Sequence, residues 1–338
     1  MAIIRDYDVV IIGAGPAGMT AALYAGRAML RTVVLEAGLS GGELLRTEYL
    51  DDVIGFPMIK GDELAQKFEE HAKKFGANFV NFTNVTSVQK IDAEMFATEA
   101  DNGDVYMSPV VIVTSGGTPV KLGIPGELEF AGRGVSYCAI CDANFFRKQV
   151  IAVVGGGDAA CEEADYLTRF ADKVYLIHRR DEFRASKVIQ KHVFSNPKIE
   201  VVFNTVAEEV VGTKGGLMTG LRTHNLVTGD RHVLDVTGLF VFIGFKPNTD
   251  IIKGHYKHDA LGYVVTDAAM MSSIPGLFVA GDLRSQLTRQ VTTAAGDATT
   301  AAIASDKYLK DLREARAGVE KAVEEAVQTS HLNLGGWT

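Results

Sequence analysis

Two cysteines separated by two residues, Cys138-Ala139-Ile140-Cys141, are followed at once by Asp142. At that spacing both sulfurs fall on one side of a first helical turn. There the partial positive charge of the helix N-terminus lowers thiol pKa and favours the thiolate. Such a pair closes a short disulfide and opens it by exchange. A carboxyl group on the next residue is placed to pass a proton to or from a leaving thiolate. The competing readings are weaker. Structural zinc takes about four ligands, and no second Cys or His pair of suitable spacing follows. A structural disulfide across so short a loop removes little chain entropy, which leaves two inert buried thiols as the bland alternative. Cys161 has no cysteine near it in sequence and reads as core packing.

A redox pair needs an electron source, and the elements around it supply two candidate sites. Tyr7 to Ile12 is a short β-branched run suited to a buried parallel strand. Gly13-Ala14-Gly15-Pro16-Ala17-Gly18 follows it, then a helical stretch over Met19 to Ala28, then a second strand over Thr32 to Leu35 ending at Glu36 and Ala37. Strand, glycine loop, helix, strand and terminal acid together form the dinucleotide-binding fingerprint. The glycines permit a tight turn and close approach of a pyrophosphate to the helix N-terminus, and the acid meets a ribose hydroxyl. The plan then repeats. Val150 to Val154 predicts a strand, Gly155-Gly156-Gly157-Asp158-Ala159-Ala160 the loop, Cys161 to Phe170 the helix and Val174 to Ile177 the second strand.

The two strand ends differ, and the difference separates the ligands. Glu36 stands 23 residues after Gly13, and at the same offset from Gly155 stands His178, followed by Arg179, Arg180 and, further on, Arg184. An acid suits a free ribose diol; a cluster of guanidinium groups suits a 2′-phosphate. The first site therefore reads as FAD and the second as NADPH. The bland reading of the arginines is a solvated basic face, but their position relative to the loop is the one a phosphate requires.

Between and after these repeats lie Val110 to Val113 with Ser115-Gly116-Gly117, and Gly276 to Val279 with Gly281-Asp282, both strands with a glycine end. Asp282 is a candidate for ribityl hydroxyls or, more plainly, a turn cap. Thr292 to Leu309 predicts a helix whose N-terminus faces a flavin ring and stabilises negative charge on it. The expected fold is α/β, three-layer, with two Rossmann-like dinucleotide-binding domains. The NADPH domain (118–244) is inserted into a discontinuous FAD domain (1–117 and 245–312). Residues 313–338 form an extension, with helical spacing over Glu320 to Val327 and a flexible end from Leu334.

Composition narrows the class. The chain has 338 residues, 47% of them hydrophobic, with a net charge of -8, which argues against a general nucleic-acid binder. No secretory leader pattern and no apolar run of membrane-spanning length are seen, so a cytoplasmic protein is expected, with no membrane partner and no metal. In a reducing compartment a close cysteine pair does redox chemistry more often than structural bridging.

Taken together, the landmarks Gly13 to Gly18, Gly41-Gly42, Cys138 to Asp142, Gly155 to Ala160, His178 to Arg184, Gly281-Asp282 and Arg289-Gln290 resemble those of the low-molecular-weight thioredoxin reductases of bacteria and archaea. The likeness covers residues 7 to 312. It implies a homodimer, thioredoxin as the disulfide substrate, and rotation of the NADPH domain against the FAD domain between half-reactions. It implies Cys141 as the thiol beside the flavin, Cys138 as the one that attacks thioredoxin, and Asp142 as acid/base. It places Ala37, Gly42, Glu43, Leu44, Asp52, Val85, Ser115, Gly116, Arg289, Gln290 and Val291 at FAD, and Ile243 and Gly244 at NADPH. Some positions depart from the family pattern: Glu43 replaces glutamine, Asp52 asparagine and Ala143 glycine, and the tail is longer. Two other functions fit the same motifs: reduction of another dithiol carrier, such as a glutaredoxin-like protein or a peroxidase partner, and a flavin redox sensor without turnover.

Overall fold

The computed structural model describes residues 2–47, 49–50 and 52–334. The chain divides into two units. The first contains the residues up to Gly42, Ala65–Gly116 and those from Pro247 on; the second contains Glu43–Leu64 and Gly117–Lys246.

The first unit is built on a five-stranded parallel sheet. Its order is Leu277–Val279, Val110–Val113, Val9–Ile12, Thr32–Leu35, Asn78–Val80. The four strands from Leu277–Val279 to Thr32–Leu35 are buried along their whole length, which is why they read as nearly continuous apolar runs rather than alternating ones. One face carries the helix Pro16–Arg27 and the start of the helix Val291–Leu334. Ala17, Ala21, Ala22 and Ala25 of the first share a core with Ala294, Ala298, Ala301 and Ala302 of the second. Side chains of one carbon let the helix axes approach closely, so the alanine richness is a packing device. The other face carries a four-stranded sheet, ordered Ile3–Ile4, Val105–Ser108, Phe96–Ala100, Val85–Lys90. Its Val85, Val88, Phe96 and Tyr106 fill a second core with Val10, Ile12, Val33 and Val113. The layers are therefore helix, sheet and sheet.

The second unit repeats the scheme. Its parallel sheet runs Val135–Ser136, Gly238–Phe242, Val150–Gly155, Lys173–Ile177, Ile199–Val202. Helices Asp158–Leu167 and Lys187–Ser195 cover one face. An antiparallel sheet, Thr205–Gly212, Met218–Asn225 and Arg231–Leu234, packs on the other. In both units the glycine-loop strand is central. In both, the strand on its other side returns only after the antiparallel sheet has been made.

The expected helix over Thr292 to Leu309 and the separate helical stretch at Glu320 are one element, Val291–Leu334. The sequence between them is rich in Ala, Glu, Lys and Arg. Its one breaker, Gly318, costs about 1 kcal/mol relative to alanine, too little to end a helix with strong formers on both sides. Arg313 reaches Asp8 at 3.1 Å and Arg316 pairs with Glu94, which ties the segment after residue 312 to the first unit. Of the flexible end expected from Leu334, Leu334 is the last residue of this helix, and 335–338 lie outside the described residues.

Candidate active site

The first glycine loop turns at Gly13, whose φ of +97° is open to glycine at little cost. A Cβ at Gly13 would lie 2.7 Å from the Thr114 carbonyl oxygen, and one at Gly18 would lie 1.8 Å from the Gly13 oxygen. Loop, helix and neighbouring strand are thus in backbone contact. Gly15 precedes the helix in extended conformation, and Pro16 opens it with a φ already suited to a helix. Thr114, which the sequence reading passed over, holds the turn: its hydroxyl is 2.8 Å from the Ile12 oxygen and 2.9 Å from that of Gly13.

Several of the other predicted residues meet this loop or the strand ends beside it. Glu36 folds back on the loop and accepts hydrogen bonds from the backbone N–H of Ala14 (2.7 Å) and of Gly38 (2.9 Å), with Ala37 between. Gly42 abuts Gly15, and a Cβ there would be 3.1 Å from the Gly15 Cα. Gly281 lies against Ala17 and Ala294, with Asp282 next in the chain. Its N–H donates to Asp297 Oδ2 (3.3 Å), and Asp297 pairs with Arg284 at 2.9 Å. Ser115 donates to the Asn248 oxygen and Asn248 to the Ser115 oxygen, both at 2.8 Å, beside Gly116. The Arg289 guanidinium stacks 4.2 Å above the Tyr263 ring. Gln290 caps the helix that starts at Val291, its carbonyl accepting from the Thr293 hydroxyl and the Ala294 N–H. Val85 is a core residue. Glu43, Leu44 and Asp52 lie in the segment grouped with the second unit, Leu44 buried and the two acids exposed.

The second loop is as tight. A Cβ at Gly155 would meet the Phe242 oxygen at 2.5 Å, and one at Gly156 would meet the His178 ring at 2.2 Å. His178 is buried, and among the described residues its Nε2 has no hydrogen-bond partner. Burial, with Arg180 and Arg184 nearby, holds the imidazole below its usual pKa. The Arg184 N–H donates to the Gly156 oxygen at 2.8 Å. This bond fixes the arginine stretch beside the loop and leaves the side chains of Arg179, Arg180 and Arg184 exposed. Gly157 and Ala159 line the loop, Ala160 is buried, and Asp158 Oδ1 accepts from the Ser186 N–H at 2.6 Å. Ile243 and Gly244 follow the neighbouring strand Gly238–Phe242, and the Gly244 carbonyl accepts from Val120 N–H.

Cys138 and Cys141 are joined as a disulfide, with their Cα atoms 5.4 Å apart. Cys138 caps the short helix Ala139–Asp142, its sulfur accepting from the Cys141 N–H at 3.2 Å. Ala139 and Ala143 are buried beneath, and Ile140 faces outward. Two groups that sequence reasoning missed hold the chain just before and within this turn. The Ser136 hydroxyl reaches Asp142 Oδ2 at 2.5 Å and receives the Cys138 N–H at 3.1 Å. Glu127 is buried and accepts from Leu122 N–H, Gly123 N–H and the Tyr137 hydroxyl, the last at 3.0 Å. The serine stands two residues before Cys138, but only the fold shows where its oxygen points.

Cys161 is buried, and its thiol is pushed up to about 11, chiefly by burial and further by Asp158 and Glu162. It stays a neutral thiol near pH 8. Reduced native protein should therefore show two thiols that react quickly with a neutral alkylating reagent, and a third only after denaturation. A third fast thiol would show that Cys161 is reachable.

Comparison with known proteins agrees with this geometry. The family described as pyridine nucleotide-disulphide oxidoreductase matches residues 7–298. The thioredoxin reductase of Listeria monocytogenes is 42% identical over 310 residues, 92% of this chain and 96% of that protein. That of Bacillus subtilis is 41% identical, covering 92% and 97%. The crystal structure of thioredoxin reductase from Streptococcus pyogenes superposes with a TM-score of 0.87 at 39% identity, covering 92% of this chain and 99% of that one. The chain belongs to the pyridine nucleotide-disulphide oxidoreductase family. Within it, the chain is an NADPH-dependent flavin disulfide oxidoreductase.

Proposed function

We propose that the disulfide this enzyme reduces is that of a thioredoxin, with electrons passing from NADPH to FAD, to Cys138–Cys141 and on to the carrier. The observation that carries this reading is the Cys138–Cys141 disulfide with Asp142 held beside it by Ser136. The thioredoxin reductases that match 92% of the chain at 41–42% identity support the choice of carrier.

The residues fit both cofactors. Backbone contact leaves no room for side chains at Gly13 and Gly18, so the bare loop from Gly13 to Gly18 brings the FAD pyrophosphate close to the N-terminus of the helix Pro16–Arg27. Glu36 and Ala37 take its ribose, and Gly281, Asp282 and the helix start at Arg289, Gln290 and Val291 its flavin half. Gly42, Glu43, Leu44, Asp52, Val85, Ser115 and Gly116 complete that set. Gly155 to Ala160, Ile243 and Gly244 hold NADPH. His178 closes on the loop, and Arg179, Arg180 and Arg184 grip the 2′-phosphate. FAD, when bound, supplies the two-electron step between a nicotinamide and a disulfide.

The remaining steps belong to the chain. Cys138, as thiolate, attacks the thioredoxin disulfide. Cys141 then attacks Cys138 Sγ and releases the carrier, and Asp142 supplies the proton that the leaving thiolate takes. The FAD domain comprises 1–117 and 245–312, the NADPH domain 118–244, and 313–338 is an extension. Because one domain carries both the NADPH site and the dithiol, the half-reactions need two arrangements, and domain rotation is part of the cycle. The enzyme acts as a cytoplasmic homodimer. Among the described residues, no helix is long and apolar enough to cross a membrane.

The test is anaerobic mixing with NADPH, followed by addition of the host's thioredoxins. Bleaching of the flavin and its recovery with thioredoxin are expected. Bleaching with no recovery would move the function to another dithiol carrier or to a sensor.

A further inference from the structure

Ser136 is 4% exposed and ends an edge strand in register with Phe240. Its oxygen meets three groups. It receives the Cys138 N–H at 3.1 Å, and it is within donating distance of Asp142 Oδ2 at 2.5 Å and of the Cys138 carbonyl at 3.2 Å. A hydroxyl has one proton and two lone pairs. One lone pair is taken by the Cys138 N–H. While Asp142 is ionised, the proton belongs on Oδ2, the shorter and charge-assisted bond. Once Asp142 is protonated, its own O–H donates to the second lone pair, and the serine proton turns to the Cys138 carbonyl. No heavy atom has to move between the two states.

We propose that Ser136 is a positioning residue that holds the Asp142 carboxyl in one place through both of its protonation states, by turning a single hydroxyl proton between Asp142 Oδ2 and the Cys138 carbonyl. This rests on the reading of Asp142 as acid/base given above. The Cys138 thiol passes its proton to the Asp142 carboxylate and attacks the carrier disulfide. One carrier sulfur leaves as thiolate, and the other stays bonded to Cys138. Cys141 thiolate then attacks Cys138 Sγ. The Cys138–Cys141 bond forms, the bond to the carrier breaks, and the electron pair departs on the second carrier sulfur. That sulfur takes the proton from Asp142, and the serine proton returns to Oδ2.

Other titratable groups surround this turn. Tyr137 is hydrogen-bonded to Glu127. The following turn, Ala143–Phe146, carries none, nor does the strand Gly238–Phe242 beside Ser136. Helix Asp158–Leu167, packed on Ala139–Asp142, carries Asp158, Cys161, Glu162, Glu163, Asp165 and Tyr166. Of these, burial raises both Cys161 and Glu163. All are unchanged in the variants below, so differences among variants report on Ser136 and Asp142.

Two profiles against pH test the idea on reduced holoenzyme: alkylation of Cys138 by iodoacetamide, and single-turnover oxidation by an aromatic disulfide. The variants are Ser136→Ala, Ser136→Thr, Asp142→Asn and the Ser136→Ala/Asp142→Asn pair, with flavin absorbance and circular dichroism confirming the fold. Loss of the hydroxyl removes a donor to the carboxylate, so Ser136→Ala should move the acid limb of both profiles to higher pH. At a pH on that limb the rates should fall about tenfold, the size of one charge-assisted hydrogen bond. Ser136→Thr should keep the wild-type limb, and the double variant should match Asp142→Asn alone. A uniform loss with an unmoved limb, a threonine variant that shifts as alanine does, or effects that multiply in the double variant would each overturn the proposal. If Asp142→Asn itself leaves the profiles unchanged, the acid/base reading fails first and takes this inference with it.

Discussion

Cys138→Ser should leave NADPH able to bleach the flavin and should abolish transfer to thioredoxin. The expected split follows from where the sulfur stands. In the proposed cycle Cys138 meets the carrier, and neither cofactor-binding loop uses it. Both loops are held by their own close contacts, Gly13 against the Thr114 backbone and Gly156 against the His178 ring. A serine oxygen is no longer a nucleophile toward disulfides and cannot close a bond to Cys141, so the electron pair has no stable place on the cysteine pair. Transfer should fall by roughly three orders of magnitude or more, as for loss of a covalent nucleophile. The local fold should survive: the Cys138 sulfur accepts one N–H from Cys141, a role an oxygen can fill. Stopped-flow absorbance of the flavin, with and without thioredoxin, separates the two half-reactions. Loss of flavin reduction in this variant would contradict the assigned order of electron flow. Retention of transfer would move the attacking thiol elsewhere.

Most of the scheme behind that expectation is legible in the sequence because it is local. A buried parallel strand announces itself as four apolar β-branched residues, and a glycine loop as bare positions at fixed offsets. Val9–Ile12, Gly13 to Gly18 and Glu36 are readable without a fold for this reason, and the second loop likewise. What stays hidden is set by chain crossings. Thr114 reaches Ile12 across 102 residues, and nothing in a Val-Thr-Ser-Gly string says that its hydroxyl locks a distant turn. Glu127 looks like an ordinary surface acid until the fold buries it against three donors. Asp297 sits in an alanine-rich helix and becomes meaningful only when the strand end at Gly281 and the Arg284 side chain meet it. Helix ends are a third case. The sequence suggests a pause near Leu309 and a fresh start near Glu320, whereas one helix runs from Val291 to Leu334. A single glycine weighs little against many strong helix formers, and the pairs Arg313–Asp8 and Arg316–Glu94 add tertiary support that a local pattern cannot register.

Replacing Arg179 and Arg180 with alanine should weaken NADPH about a hundredfold while changing NADH by less than about threefold. The two nucleotides differ only by the 2′-phosphate, so any contact to the shared part affects both alike. Both arginines are exposed, which places their contacts at the weaker end of charge-assisted hydrogen bonds, about 1.5 kcal/mol each. Two such contacts correspond to roughly a hundredfold. Arg184 remains, fixed to the loop through its N–H on the Gly156 oxygen, so the preference for NADPH should shrink without reversing. Exposed charges are screened, so the penalty should narrow further as salt rises from low to near-molar ionic strength. The glycine loop and His178 are untouched, and the rate of flavin reduction at saturating NADPH should hold, which confines the effect to KM. Equal losses for NADPH and NADH would show that these side chains do not read the phosphate. The specificity would then have to reside in Arg184 alone, the one cation of the three whose backbone is bonded to the loop itself.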